Sequence, residues 1–339
     1  MTELMTCTNC NTITVTNGNS LAGFIVGNPI LADILTFSKS SQTRYLHELR
    51  SFGEYIGHGN MQDVDQWEGV TAEALKLYHA HLLYEVGMRT TTANQILYII
   101  KKFSRIAYDA GAISIDELTR IEHVKGLTAS KSENVDAGRQ TAGKATAISD
   151  RHNVNGNVTH LTKKQVNLLK FGHGEDLAGR RDALLFCLLL DFGLRISDAT
   201  ALMVDNVDMV EHMVTVKTMK TSTELKLRMT QDIYDAFVSY FELYQPAPGA
   251  SIWTGINKGG KPSGTFGKHS AQMRITAVAE SFGIPNLSAH DLRHAWTDRA
   301  IAGGSDLESV RQAGGWKSIQ MVSHYASKKA VSNEGVKLL

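Results

Sequence analysis

Eight consecutive apolar residues, Ala183–Leu190 ("ALLFCLLL"), constrain this chain more than any other stretch. Asp182 precedes them, and Asp191, Phe192 and Gly193 follow, so the run has polar borders and a glycine stop. At 3.6 residues per turn these side chains cover every face of a helix. A helix apolar all round has to be enclosed by other elements. It is far shorter than the roughly 20 residues that cross a bilayer, and no other apolar run approaches that length. The run therefore demands a domain thick enough to wrap a central helix, with Cys187 inside it as a small buried hydrophobe.

At 339 residues the chain is too long for one ordinary domain and suits two, and its 42% apolar content is enough for two cores. Residues 1–28 read as a polar arm, either a small hairpin around Asn17-Gly18 or unstructured. From 29 to 125 the apolar rhythm is helical. Ser41 is a candidate cap ahead of Tyr45, Leu49, Phe52 and Ile56 on one face. Thr71 opens a second helix that closes near Gly87. A third turns Ile96, Ile99, Ile100, Phe103 and Ala107 inward and ends at Gly111, with Lys101, Lys102 and Arg105 on its outer face. Between 126 and 160 the rhythm stops in a stretch rich in Gly, Ala, Ser, Thr and Asn, which reads as a linker. The second domain, 161–339, holds the apolar helix, two strand-like runs ("HMVTVKTM" and "TELKLRMT") joined across Lys220–Ser222, and further helices broken by glycines.

Bulk chemistry says little about partners. The formal charge is +1, which leaves room for a basic face without implying one. Three cysteines fit a reducing compartment, and Cys7-x-x-Cys10 offers only half of a four-ligand zinc site. The first residues lack the basic-then-apolar layout of a secretory signal, which predicts a cytoplasmic protein with no membrane partner.

Four stretches of the second domain carry possible chemistry. In "DFGLRISDATAL", Arg195 follows the buried helix at once, where a cation is costly to desolvate unless an anion meets it; Asp198, one turn on, is the internal alternative. In "KTMKTSTELK", Lys220 sits at a hairpin tip, a common place for a solubilising lysine, and Lys217 lies within the strand. In "SAHDLRHAW", His290 and Arg293 share a helix face, where they repel if His290 is protonated. In "QAGGWKSIQMVSHYA", Trp316 and Tyr325 fit a core equally well. Taken together, the set suits a phosphodiester. Arginine forks match phosphate oxygens, a lysine can protonate a departing oxygen, and a tyrosine becomes a nucleophile beside a base and a polarised electrophile.

In order and spacing, "GLRISDATAL", "SAHDLRHAW" and "QAGGWKSIQMVSHYA" resemble the boxes of the tyrosine site-specific recombinases, the phage integrase family, and "QAGGW", "ENVDAG" and "GVKLL" are similar to its Cre-like branch. The resemblance implies a mostly α fold with a small antiparallel β-sheet, arranged as a two-domain C-shaped DNA clamp. It implies a helical core-binding domain at 29–125 and a catalytic domain at 161–339 ending in an exchange tail. It implies that Tyr325 attacks the scissile phosphate to give a 3′-phosphotyrosine, with Arg195 and Arg293 on the non-bridging oxygens and Lys220 protonating the leaving oxygen. His290 would assist proton transfer, Trp316 would pack against the phosphate, and Asp198 would steady His290 or the arginines. Lys101, Lys102 and Arg105 become candidate DNA contacts. No metal or other cofactor is called for. The implied partners are duplex DNA bearing a specific site and three further copies of the chain in a tetramer on two sites, passing through a Holliday junction in a nucleoid-associated setting. A type IB topoisomerase-like enzyme and a DNA-binding protein without catalysis are the alternatives.

Overall fold

In the computed structural model, residues 28–128, 131–132, 135, 160–219 and 223–323 are described. The arm with Cys7 and Cys10, most of 129–159, Lys220 and Tyr325 lie outside them. The chain divides into two compact units between Ser149 and Asp150.

The first unit is helical throughout its described part: α1 (Pro29–Leu35), α2 (Lys39–Ile56), α3 (Ala72–Tyr84), α4 (Thr90–Asp109) and α5 (Ile115–His123). Helix α2 begins one turn earlier than the sequence pattern suggests. Ser38, not Ser41, is the cap, and its hydroxyl accepts the Ser41 amide. Thr71 caps α3 as expected. The five apolar positions anticipated on α4 are all buried, against Leu49, Phe52, Trp67, Tyr78 and Leu82.

The second unit is built around the apolar run. Helix α7 (Leu177–Asp191) follows α6 (Lys163–Phe171), and every side chain from Leu184 to Leu190 is sealed from solvent. Helix α6 packs on it, as do two later helices, α9 (Gln231–Leu243) and α11 (Ala289–Ala302). Such enclosure is what a helix with no polar face requires. After α7 the chain turns at Gly193 and forms the short α8 (Ile196–Thr200), then a three-stranded antiparallel sheet. Its strands are β1 (Val207–Asp208), β2 (Met213–Lys217) and β3 (Glu224–Arg228). Strand β2 turns Val214 and Val216 into the core, and the register sets Lys217 opposite Glu224. Helices α10 (Lys268–Ser281), α12 (Leu307–Ala313) and α13 (Ile319–Ser323) complete the described unit. Among the described residues no helix is long and apolar enough to cross a membrane, and no group of three metal-ligating side chains occurs.

Candidate active site

Three separate segments converge around the Arg293 side chain. The first is the turn after α7. Gly193 takes φ +61°, a left-handed conformation that releases the chain from the buried helix and aims Arg195 outward at the start of α8. The Arg195 Nη1 lies 3.7 Å from Asp198 Oδ2, too far for a hydrogen bond, and has no hydrogen-bond partner among the described residues although it is buried. The internal acid is near, and it leaves one guanidinium nitrogen without a hydrogen bond among the described residues.

The second segment is α11. Ser288 and Asp291 form a reciprocal capping box that fixes its first turn, where His290 and Arg293 share a face. Arg293 is 2% exposed. Its Nη1 donates to the Gly193 carbonyl at 2.6 Å and its Nη2 to the Gly314 carbonyl at 2.5 Å. Burial, then the neighbouring His294, then Arg293 and Arg195, hold the His290 pKa below 6.5, against an opposing pull from Asp291. The imidazole is therefore neutral at pH 7 and able to accept a proton. Its dependence on both arginines places the imidazole near the two guanidinium groups.

The third segment is the Gly-Gly-Trp turn after α12. The Arg293 guanidinium carbon lies 3.9 Å from the Trp316 ring centroid, and Trp316 in turn stacks on Trp296 at 5.9 Å and 24°. Trp316 is itself only 2% exposed, and it lines a cavity together with Thr223, Leu225, Gly315 and Lys317. A Cβ on Gly314 would collide with the Trp316 ring, and the Cβ position of Gly315 lies 4.0 Å from Arg195 Nη1. The paired glycines let this turn pass between the tryptophan and the first arginine.

The lysine hairpin joins the same cluster. Thr218 and Thr223 close its base through the Thr218 amide and hydroxyl, both donating to the Thr223 carbonyl, and the Thr223 amide donates back to the Thr218 hydroxyl. Asp198 Oδ1 accepts the Met219 amide at 3.1 Å. Asp198 therefore lies against Arg195 and the amide of Met219. Lys220 itself, at the turn, and Tyr325, two residues beyond α13, lie outside the described residues.

The three cations expected to meet DNA on α4 are engaged inside the first unit. Lys101 donates to the carbonyls of Glu122 and Val124, and Arg105 pairs with Glu122. Lys102 pairs with Asp33 and lies 4.3 Å from the Phe37 ring centroid and 4.6 Å from that of Phe103. Tertiary partners within the first unit thus already meet all three charges. Sequence reasoning also missed Trp296, quoted within the His-Arg box and given no role.

The described residues of the second unit thus gather two arginines and a neutral histidine beside the β2–β3 hairpin. Comparison with known proteins supplies the family. A profile described as the phage integrase family matches residues 159–331, about half of the chain. The chain belongs to that family. Tyrosine recombinase XerC of Pseudomonas fluorescens is 26% identical over 166 residues, covering 48% of this chain and 54% of the relative. The chain thus spans about half the length of the curated relatives it matches. Among solved structures, the Tn1549 transposon integrase in complex with transposon right end DNA superposes with a TM-score of 0.61 at 14% identity, over 89% of this chain and 94% of that one. A lambda integrase dimer bound to a COC′ core site gives 0.60 at 13%, over 96% and 85%. These likenesses establish the fold.

Proposed function

We propose that the protein is a site-specific DNA recombinase that breaks and rejoins strands through Tyr325. The observation that carries this reading is the Arg195 nitrogen, buried and without a hydrogen-bond partner among the described residues, beside an Arg293 fixed by two carbonyls and a ring. An anion completes such a site. Family membership, and solved neighbours captured on their DNA ends and core sites, support duplex DNA as the source of that anion.

In the proposed reaction the Tyr325 hydroxyl attacks the scissile phosphorus, and the bond to the 5′ oxygen breaks. The product is a 3′-phosphotyrosine and a free 5′-hydroxyl. Arg195 and Arg293 hold the non-bridging oxygens, where charge accumulates. Neutral His290 takes the tyrosine proton, and Lys220 delivers one to the leaving oxygen. Attack by a 5′-hydroxyl of another strand reverses the step, so exchange needs no external energy source. Two rounds, through a Holliday junction, complete recombination. Residues 161–339 form the catalytic domain in this proposal and 29–125 the core-binding domain, with a tetramer on two sites as the working assembly.

The test uses the full chain and nicked duplexes from which the cleaved strand end is lost, trapping the intermediate. Wild-type protein is expected to give an adduct that survives denaturing electrophoresis, and Tyr325→Phe none. Absence of adduct from both proteins, or equal adduct from both, overturns the assignment. Relaxation of supercoiled plasmid by the isolated monomer, with no requirement for paired sites, would instead make the chain a topoisomerase-like enzyme.

A further inference from the structure

We propose that Trp296 is a positioning residue for the phosphate pocket, holding Arg293 in plane through Trp316 and the Gly193 carbonyl and anchoring the segment that leads to Tyr325. The inference rests on the recombinase reading above and concerns a residue to which that reading gives no part.

Trp296 does not belong to the main core around α7. It forms a separate small cluster with Val310, Trp316 and Val322, all buried. Each neighbour carries part of the site. Trp316 supports the Arg293 guanidinium at 3.9 Å. Val322, fully buried on α13, precedes Tyr325 by three residues. Trp296 also fills the space where a Cβ of Gly193 would stand, and Gly193 supplies the carbonyl that accepts Arg293 Nη1.

A guanidinium is planar, and its use as a two-pronged phosphate ligand depends on the tilt of that plane. Two carbonyls, from Gly193 and Gly314, fix positions along its edge. The Trp316 ring fixes its face. Trp296, stacked on that ring at 24°, is the one other aromatic side chain of the cluster among the described residues, beside Val310, Val322, Ala300, Ile301 and Ala313. An aliphatic side chain at position 296 preserves apolar burial but removes the flat support. An ordinary core residue should tolerate that exchange at modest cost. A positioning residue should not, since displacement by about 1 Å at a reacting centre costs on the order of 100-fold in rate.

The experiment compares wild type, Trp296→Leu and Trp296→Phe as full-length proteins. The probe is a nicked duplex recovered by covalent capture on wild-type protein from a pool with randomised arms. Adduct formation is followed in a single turnover at saturating duplex, Kd is measured in parallel, and thermal melts report the folded fraction. Trp296→Leu is expected to slow adduct formation about 100-fold with Kd changed less than about threefold, and Trp296→Phe to recover to within about fivefold of wild type. The stacked pair should also give a circular-dichroism couplet that both variants lose or reduce. The proposal is overturned if Trp296→Leu reacts at the wild-type rate, if its rate falls only in proportion to its folded fraction or to Kd, or if Trp296→Phe is no better than Trp296→Leu. Failure of wild type to capture any duplex strikes at the recombinase reading itself, so the two failures are distinguishable.

Discussion

The Asp198 carboxylate accepts the backbone amide of Met219 at 3.1 Å, tying the short helix behind Arg195 to the residue that precedes Lys220. The acid is 3% exposed and also lies 3.7 Å from Arg195, so one buried group spans two parts of the pocket. Asp198→Asn keeps an oxygen for the Met219 amide and loses the charge beside Arg195. Asp198→Ala loses both. Asn is expected to fold with little loss and react slowly, whereas Ala should cost about 1–3 kcal/mol, as expected for a buried donor left unmade. Denaturant melts and single-turnover adduct assays separate the two. Equal stability of Asn and Ala would show that the Met219 contact contributes nothing.

Gly314 and Gly193 each give a carbonyl to Arg293, and each is pressed against a tryptophan where a Cβ would have to go. Gly314→Ala and Gly193→Ala should therefore destabilise the second unit by about 1–3 kcal/mol through overpacking, with Gly193→Ala the worse because of its positive φ. Each should also lower adduct formation at saturating DNA. Unchanged melting of Gly314→Ala would mean that the Trp316 ring has room to move.

The His290 pKa lies below its ordinary value, chiefly through burial and then through His294, Arg293 and Arg195. Its sign fixes a pH response. Between the ordinary value near 6.5 and the depressed folded value, the unfolded chain binds more protons than the native one, so stability falls as pH drops through that window and levels off below it. His79 in the first unit, also depressed by burial, adds a contribution of the same sign. Urea midpoints measured from pH 7 downward should slope in wild type and flatten in part in His290→Gln. Adduct formation should lose its rate over the same limb if His290, as proposed, accepts the tyrosine proton and becomes charged there. Superimposable stability profiles for the two proteins would remove His290 from the titration.

Lys102 is held by Asp33 and by the faces of Phe37 and Phe103. Lys102→Met is accordingly expected to cost the first unit about 1–2 kcal/mol, from a part-buried ion pair and its cation–π contacts. The salt dependence of DNA binding should stay unchanged. A drop in the slope of log K against log salt by about one would restore Lys102 as a phosphate contact.

Which of these features the sequence reveals depends on the range of the interactions behind them. The stripe Ile96, Ile99, Ile100, Phe103 and Ala107, and the eight-residue apolar run, are local patterns whose burial follows from helix geometry. The order of Arg195, His290 and Arg293 is legible through resemblance. The two glycine carbonyls that hold Arg293 are not, because Gly193 stands 100 residues from it and reaches it only through folding. The pairing of Lys102 is hidden for the same reason: its partner Asp33 is 69 residues away, and an outward-facing lysine looks identical in sequence with or without it. Ser38 displaced Ser41 as the α2 cap for a local reason, since both serines precede the apolar stripe and periodicity alone does not choose between them.

Lys170 offers the strongest stability test in the second unit. Its ammonium, 3% exposed on α6, donates to Asp191 at the end of α7 at 2.7 Å and also to Asp232 at the start of α9. One cation thus joins α6 and α9 to the central α7. Burial alone would lower its pKa, but hydrogen bonds from Asp191 and Asp232 outweigh that effect and raise it. Lys170→Met fills similar space yet removes the ammonium from Asp191, which among the described residues keeps the Thr230 hydroxyl at 3.0 Å and Arg299 at 3.6 Å. Loss of one partner from a buried pair costs about 3–5 kcal/mol, and most of that should appear here. The double variant Lys170→Met with Asp191→Leu removes the stranded charge and should recover a large part of the loss. In wild type the raised lysine pKa makes its contribution fully present below the unfolded value near 10.5 and lost as pH rises through the folded value, so alkaline melts should steepen relative to the double variant. If the single variant melts like wild type, the three helices are held by their apolar contacts alone.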